Sequence, residues 1–261
     1  MSVPFVDLKS QFQRIQLQIE GRINTVLKHG KYIQGPEVAE LEHKLAEFCG
    51  VRHAVGVSSG SDALLVALLA ENIGPGDAVF LPAFTFTATA EVILLAGATP
   101  VFVDVDSNNY NISIPSLEMA IAHVETLPGL TAKAIMPVDL FGLPANYFSI
   151  NSIAQIHNLV VISDAAQSFG AQVDNQKVGM LAKITATSFF PAKPLGCYGD
   201  GGAIFTDSDS LDEIFRSIRA HGKGSEKYDI VRIGLNARLD TLQAAILLEK
   251  LAIFDDELAA R

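Results

Sequence analysis

Residues 187–203 read TSFFPAKPLGCYGDGGA and place Lys193 in a turn rich in proline and glycine. The segments Thr185–Phe189 and Gly202–Thr206 flank this turn, and their apolar and β-branched residues predict two strands. Upstream, the hydrophobic run Leu159–Ser163 predicts a buried strand that is followed directly by Asp164. An acid at the end of one strand therefore precedes a lysine in a later turn.

This pair of residue types suits one kind of chemistry. A lysine amine forms an imine with the aldehyde of pyridoxal phosphate, and a carboxylate keeps the pyridine nitrogen protonated so that the ring accepts electrons. Taken alone, Lys193 fits a surface lysine and Asp164 fits a helix N-cap. In these surroundings the two residues together predict a site for pyridoxal phosphate.

Helical and strand patterns alternate along the chain outside this turn. The predicted helices span residues 10–29, 36–49, 61–71, 85–96, 116–124, 146–157, 208–220 and 239–258, and the predicted strands span residues 53–57, 78–81, 101–103, 134–138, 159–163, 185–189 and 202–206. The alternation predicts an α/β fold with a mostly parallel central sheet and helices on both faces. A nicotinamide-binding domain is the rival fold, but no GxGxxG motif follows any predicted strand, and the GxxxxGK[ST] phosphate loop is missing.

Composition narrows the classes of function. The net charge of -10 argues against a nucleic acid or an anionic membrane surface as partner. Cys49 and Cys197 are too few for a disulfide framework and match no zinc spacing, so no metal site is predicted. Residues 1–10 lack the apolar core of a secretory signal, and the hydrophobic stretch 79–103 is interrupted by prolines and a glutamate. We therefore expect a soluble, cytoplasmic protein.

Six further blocks accompany the Lys193 turn. They are GKYIQGPEV at 30–38, SGSDAL at 59–64, PAFTF at 82–86, PVFVDVD at 100–106, DAAQ at 164–167 and GLNARLD at 234–240. In this order, from near residue 4 to the C-terminus, the chain resembles the sugar aminotransferases of the DegT/DnrJ/EryC1/StrS family, within the aspartate aminotransferase fold type. Any one block is a weak signal, whereas the ordered set is highly specific.

The resemblance implies a role for each matching residue. Lys193 and Asp164 are the catalytic pair, bound to the cofactor aldehyde and to the ring nitrogen. The other implied cofactor contacts are Gly60, Ser61 and Ser188 at the phosphate, Phe86 stacked on the ring, and Gln167 at the ring hydroxyl or substrate side. The phosphate contacts agree with the affinity of helix N-termini for anions, although Ser58–Asp62 also fits an ordinary N-cap. A phenylalanine in an apolar helix is usually a core residue, so the role of Phe86 depends on the resemblance.

Two further matches concern assembly and substrate. Asn236 matches an asparagine that, in the family, reaches across a dimer interface to the partner's phosphate, which implies a homodimer with composite active sites. Arg238 fits a contact for a substrate carboxylate or phosphate, and it fits a surface arginine at a helix start equally well. Asp139 occupies a position where many relatives carry histidine, and we expect it to alter substrate contacts.

The resemblance also implies the reaction. It is the transfer of an amino group from L-glutamate to a keto nucleotide-sugar, in the biosynthesis of amino sugars or of cell-surface polysaccharide such as lipopolysaccharide. Residues 188–198 and 238–248 look most like enzymes that aminate C3 of UDP-2-acetamido-2-deoxy-3-oxo-glucuronate. One alternative is a catalytically silent family member that binds pyridoxal phosphate or only dimerises. A second is sugar dehydration, in which a histidine replaces the lysine, so Lys193 argues against it.

The domain prediction follows the same resemblance. Residues 1–35 are predicted to form an N-terminal helical segment, and residues 36–237 the large domain that binds pyridoxal phosphate. Residues 238–261 are predicted to begin the helix that leads, in family members, to a small C-terminal domain. That small domain is expected to be absent from this chain.

Overall fold

The computed structural model describes residues 6–226 and 228–261. Residues 1–5, part of the predicted N-terminal helical segment, lie outside the described residues, as does Lys227. The helices are α1 (Leu8–His29), α2 (Pro36–Cys49), α3 (Gly60–Ala70), α4 (Ala88–Leu95), α5 (Ile114–Val124), α6 (Tyr147–His157), α7 (Asp209–Ile218), α8 (Thr241–Leu251) and α9 (Phe254–Ala260), with a short 3-10 helix at Leu140–Gly142. The strands are β1 (His53–Val57), β2 (Asp77–Pro82), β3 (Thr99–Val103), β4 (Thr131–Ile135), β5 (Val160–Asp164), β6 (Gln172–Val173), β7 (Gln176–Lys177), β8 (Ile184–Ser188) and β9 (Gly202–Thr206).

One large sheet organises the described part of the chain. Its seven strands lie in the order β1-β9-β8-β5-β4-β2-β3. Neighbouring strands from β8 through to β3 are parallel, whereas β9 is antiparallel to both β8 and β1. The predicted α/β fold with a mostly parallel sheet is confirmed. The small antiparallel hairpin of β6 and β7 was not predicted, because its strands are too short to show a pattern.

Strand β2 shows how the sheet is buried on both faces. Val79 and Leu81 belong to a core that also contains residues of α3, α4 and α7. Ala78 and Phe80, which point to the opposite face, belong to a core that contains residues of α5 and α6. A strand covered on both faces carries an uninterrupted apolar run instead of an alternating one. The prediction of helices on both faces is therefore confirmed.

The strand register brings several chain segments to one edge of the sheet. Val57 at the end of β1 and Ser188 at the end of β8 both pair with Gly202, the first residue of β9. Asp164 at the end of β5 pairs with Ala186 of β8. Because the carboxyl ends of parallel strands meet at the same edge, the loops after β1, β5 and β8 are neighbours there.

The C-terminal helix differs from its prediction. The apolar spacing of residues 239–258 predicted one long helix, but the structure contains α8 and α9, separated at Ala252 and Ile253. Ile253 has non-helical backbone angles, and the change of direction buries Phe254 against the rings of Phe48 and Phe169. The gain from burying an aromatic ring, about 1.5–3 kcal/mol, outweighs the continued helical pattern.

Helices α8 and α9 pack against α1 at the opposite end of the sequence. Arg22 of α1 forms an ion pair with Glu249 of α8, and Arg14 forms an ion pair with Asp256 of α9. Ile15 and Ile19 of α1 share a small core with Ile246. The predicted limits at residues 35 and 237 remain a prediction. In the described ranges, no helix combines the length and the apolar character needed to cross a membrane.

Candidate active site

A cleft of about 390 Å³ opens at the carboxyl edge of the sheet. Seven of the predicted site residues line it: Gly60, Ser61, Phe86, Asp164, Gln167, Ser188 and Lys193. They come from four separate chain segments, 60–61, 86, 164–167 and 188–193, which the parallel sheet brings together. Asn236 and Arg238 are not among the residues that line this cleft.

The loop between β1 and α3 presents a helix N-terminus to the cleft. The side chain of Ser59 accepts a hydrogen bond from the backbone amide of Asp62 at 3.0 Å, so Ser59 is the N-cap. The backbone amides of Gly60 and Ser61 come before the first residue that has an intrahelical acceptor. These amides and the Ser61 hydroxyl are the kind of donors that bind an anion at a helix N-terminus.

Gly60 is required by the close approach of β8. A Cβ atom at this position would lie 2.7 Å from the Cβ of Ser188, a distance that side chains do not tolerate. The absence of a side chain therefore allows the start of α3 to lie directly against the end of β8. Ser61, in the first turn of α3, and Ser188, at the end of β8, thus line the same cleft.

Lys193 lies in a closed turn after β8. Its backbone amide donates to the carbonyl of Phe190 at 2.9 Å, and the amide of Cys197 donates to the carbonyl of Phe189 at 2.7 Å. Gly196 packs against this turn so tightly that a Cβ atom would lie 2.5 Å from the carbonyl oxygen of Pro191. The turn is thus fixed by its own backbone, and it holds the base of the Lys193 side chain at the cleft.

Asp164 is the buried acid of the cleft, with 7% of its surface exposed. Oδ1 accepts from the backbone amide of Ala166 at 3.2 Å, and Oδ2 accepts from the hydroxyl of Thr89 at 2.9 Å. Burial raises the pKa of Asp164, while these hydrogen bonds and the positive charge of Lys193 oppose the shift. A cation placed against Asp164 in the cleft would stabilise its charged form further.

Two threonines connect Asp164 to the segment before α4. The hydroxyl of Thr89 lies 2.9 Å from the hydroxyl of Thr85, which itself lines the cleft. Sequence reasoning missed both residues, since it treated residues 85–96 as one helix, whereas α4 begins at Ala88. The spacing of four residues between the two hydroxyls was the available signal.

Phe86 and Gln167 both line the cleft. The ring of Phe86 remains 67% exposed and lines the cleft instead of joining a core, so the core alternative is excluded for this chain. Gln167 follows Asp164 in a turn, and its side-chain oxygen accepts from the backbone amide of Phe141 at 2.7 Å. That bond fixes the orientation of the Gln167 amide.

The expectation for Asp139 is wrong. Its side chain has 0% exposure, so it does not reach a substrate in the cleft. It accepts hydrogen bonds from the Ala145 amide at 2.9 Å, the Tyr147 hydroxyl at 2.8 Å and the Ser168 hydroxyl at 2.7 Å. Burial raises the pKa of Asp139 to about 6. The residue holds the loop after β4 together from the inside.

Asn236 and Arg238 lie beside the loop between β1 and α3 and are not among the residues that line the cleft. Arg238 pairs with Val57, and the carbonyl of the intervening Ala237 accepts from the amide of Ser58 at 3.1 Å. The guanidinium Nε of Arg238 donates to the side-chain oxygen of Asn236 at 2.8 Å. Asn236 is exposed and does not line the cleft of its own chain, and its predicted reach to the phosphate of a partner subunit stays a prediction.

Comparison with known proteins agrees with this geometry. The model of the DegT/DnrJ/EryC1/StrS aminotransferase family matches residues 13–261. This chain belongs to that family. A relative from Pseudomonas aeruginosa, UDP-2-acetamido-2-deoxy-3-oxo-D-glucuronate aminotransferase, is 49% identical over 99% of this chain and 70% of its own length.

Solved structures of DegT/DnrJ/EryC1/StrS proteins share the fold. An aminotransferase of this family from Brucella abortus has a TM-score of 0.96 and 54% identity, covering 98% of this chain and 68% of its own. The structure of NtdA from Bacillus subtilis with bound cofactor PMP has a TM-score of 0.82 and 35% identity, covering 90% of this chain and 52% of its own. The chain spans about two thirds of the length of its first curated relatives, from 64% to 70%.

The residues of the cleft fit pyridoxal phosphate, the cofactor of DegT/DnrJ/EryC1/StrS aminotransferases. The narrow junction of Gly60 with Ser188 leaves backbone amides and two hydroxyls accessible to a phosphate. Asp164 is a buried carboxylate whose oxygens accept from the Thr89 hydroxyl and the Ala166 amide and, among the described residues, form no ion pair, which leaves it available to a protonated ring nitrogen. Lys193 supplies the amine for the aldehyde.

Proposed function

We propose that this chain is a pyridoxal phosphate-dependent aminotransferase that moves an amino group from L-glutamate to a keto nucleotide-sugar. The observation that carries the proposal is that Lys193 and the buried carboxylate of Asp164 line one cleft with a helix N-terminus. The name of the Pseudomonas aeruginosa relative supports UDP-2-acetamido-2-deoxy-3-oxo-glucuronate as the acceptor, aminated at C3. The product then serves amino-sugar or cell-surface polysaccharide biosynthesis.

When bound, pyridoxal phosphate supplies an aldehyde for the amino group and a ring that delocalises the electron pair left by proton removal. The Lys193 amine acts as general base at the carbon of the amino donor and as general acid in the reverse half-reaction. Asp164 accepts the ring N–H and keeps that nitrogen protonated. An amine is suited to proton transfer at the carbon of the amino donor, and a carboxylate is suited to accept a hydrogen bond from the ring N–H.

Binding and orientation come from the other residues of the cleft. Gly60, Ser61 and Ser188 hold the phosphate, with charge-assisted hydrogen bonds worth about 1.5–3 kcal/mol each. Phe86 covers one face of the ring and excludes water from it. Gln167, already fixed by its bond to the Phe141 amide, contacts the ring hydroxyl or the substrate side.

The proposal includes a homodimer with composite sites. Asn236 reaches the partner's phosphate, and Arg238 binds a carboxylate or phosphate of the substrate. The segment before Asn236 supports this arrangement, because Ile230, Val231 and Ile233 are exposed, with Ile233 at 89%. Exposed apolar side chains grouped in this way mark an interaction surface.

The proposed location is the cytoplasm. For the catalytically silent alternative, the described residues offer no support, since both Lys193 and Asp164 line the cleft. The dehydratase alternative would need a histidine in place of Lys193.

The imine at Lys193 gives a direct test of the proposal. The purified chain, incubated with pyridoxal phosphate and reduced with borohydride, should gain the mass of one cofactor on the peptide that contains Lys193. The Lys193→Ala variant should gain none at this site, because Lys193 is the one lysine among the described residues that line the cleft. The exposed Lys44→Ala variant is the control and should behave as the wild type. Mass spectrometry of the reduced proteins measures the result.

Two outcomes contradict the proposal, one from this experiment and one from an assay of the wild type for 2-oxoglutarate formed from L-glutamate. If a cofactor adduct persists in Lys193→Ala, Lys193 is not the lysine that binds the cofactor aldehyde. An adduct on Lys193 without formation of 2-oxoglutarate from L-glutamate favours the catalytically silent alternative.

A further inference from the structure

Thr89 carries a buried hydroxyl whose one proton is donated to Asp164. Its residue is 0% exposed in the first turn of α4, and its hydroxyl donates to Oδ2 of Asp164 at 2.9 Å. A threonine side chain carries only one O–H donor. The contact of 2.9 Å with the hydroxyl of Thr85 must therefore have Thr85 as donor. The result is a directed chain from Thr85 through Thr89 to Asp164.

This chain of hydroxyls complements the second contact of Asp164. The backbone amide of Ala166 donates to Oδ1 at 3.2 Å, and Thr89 donates to Oδ2, so each carboxylate oxygen has one fixed donor. Two donors on different oxygens allow only one rotation of the carboxylate plane. Donors also favour the charged form of a buried carboxylate, against the penalty of burial.

We propose that Thr89 is a positioning residue for Asp164: its hydroxyl orients the carboxylate and keeps it anionic, so that Asp164 recognises a protonated ring nitrogen in the cleft. The inference rests on the proposed function, which supplies the ligand with that nitrogen. Thr85 lies at the cleft end of the hydroxyl chain. Because Thr85 and Phe86 are adjacent, one short segment carries both the aromatic side chain that would cover the ring and the start of the hydroxyl chain to Asp164.

A purely structural role for Thr89 makes a different prediction. A packing residue between α4 and β5 would affect any ligand of the cleft to the same extent. A residue that acts through Asp164 affects only ligands with a ring nitrogen. Pyridoxal 5′-phosphate and its 1-deaza analogue, in which carbon replaces the ring nitrogen, separate the two cases because they share the aldehyde and the phosphate.

The test compares dissociation constants of both ligands for wild type, Thr89→Val, Thr89→Ser and Thr87→Val. Valine keeps the shape of threonine without its donor, and serine restores the donor. Thr87 is exposed on the same segment, and its side chain makes no capping hydrogen bond, so it is the matched control. We expect Thr89→Val to raise the constant for pyridoxal 5′-phosphate about tenfold, as loss of a hydrogen bond to a charged group predicts. The constant for the analogue should change less than about threefold.

Thr89→Ser and Thr87→Val should bind both ligands like the wild type. Equal weakening of both ligands in Thr89→Val overturns the positioning role, as does unchanged affinity for pyridoxal 5′-phosphate. If Thr89→Val does not fold, Thr89→Ala replaces it. The affinities of the two ligands are then compared on that one protein, so a general loss of stability affects both equally. A wild type that binds the 1-deaza analogue as tightly as pyridoxal 5′-phosphate overturns the role of Asp164 that this inference requires. A wild type that binds neither ligand overturns the proposed function itself.

Discussion

At the scale of single residues, burial separates two aspartates that the sequence presents in similar positions. Asp139 and Asp164 both follow apolar strand patterns at the carboxyl edge of the sheet. Asp164 lines the cleft, whereas Asp139 is enclosed by hydrogen bonds from Ala145, Tyr147 and Ser168. The first can act on a ligand, and the second stabilises a loop.

The enclosed Asp139 predicts a pH dependence of stability. Burial raises its pKa to about 6, so the folded state favours the neutral acid. The associated stabilisation is fully present below the unfolded pKa of about 3.9 and is lost as the pH rises through 6. Asp139→Asn removes this titration; its side-chain oxygen can still accept from the Ala145 amide and the Tyr147 hydroxyl, and its amide can donate to the Ser168 hydroxyl. Its free energy of unfolding relative to wild type should therefore increase by about 3 kcal/mol between about pH 4 and pH 7.

Urea unfolding at several pH values measures this difference. The exposed Asp255→Asn variant is the control and should track the wild type at every pH. A difference between Asp139→Asn and wild type that stays constant with pH would show that Asp139 does not titrate in this range.

At the scale of elements, the turn between β8 and β9 depends on Gly196. A methyl group there would meet the carbonyl oxygens of Phe190 and Pro191 at 2.7 and 2.5 Å, and backbone atoms cannot move aside as side chains do. Gly196→Ala should therefore open the Lys193 turn, lower the free energy of unfolding by about 1–3 kcal/mol and weaken binding of pyridoxal phosphate. Gly21→Ala in α1 is the control, because its methyl group meets nothing within 4 Å.

Denaturant unfolding and a cofactor titration check both effects. Gly21→Ala should leave cofactor affinity unchanged and raise stability by about 0.5–1 kcal/mol, since alanine suits a helix better than glycine. If Gly196→Ala kept both the unfolding midpoint and the cofactor affinity of the wild type, the turn would not be set by this contact.

At the scale of the whole molecule, the proposed composite site predicts complementation between two defective subunits. Lys193→Ala removes the imine, and Asn236→Ala weakens cofactor binding, by a few kcal/mol at most. In a mixed dimer, one site combines Lys193 of one subunit with Asn236 of the other and is native. Mixing the two variants should therefore restore high-affinity, borohydride-trappable cofactor at one site per mixed dimer.

Tagged mixed dimers, purified and titrated with pyridoxal phosphate, give the measurement, and sedimentation verifies that they are dimers. Mixtures in which no site exceeds the affinity of Asn236→Ala alone would show that Asn236 acts within its own chain, or not at all.

The sequence by itself determined the order of the strands and helices and most of the cleft. The uninterrupted apolar run of β2 indicates burial on both faces, and the acid that ends β5 marks the end of that strand. Both signals lie in consecutive residues and can therefore be recognised from the sequence alone. The motifs that follow strand ends line one cleft because a parallel sheet gathers those ends at one edge. The resemblance to the family assigned Lys193, Asp164 and Ser188 to one site before any contact was known.

Only the tertiary structure decided the features that depend on distant contacts. Asp139 is buried because Tyr147 and Ser168 enclose it with hydrogen bonds. The predicted C-terminal helix is divided into α8 and α9 because Phe254 packs against Phe169. Thr89 became a ligand of Asp164, although 75 residues separate the two. A sequence pattern reports the period of one segment, whereas burial and hydrogen bonding are set by which segment lies opposite.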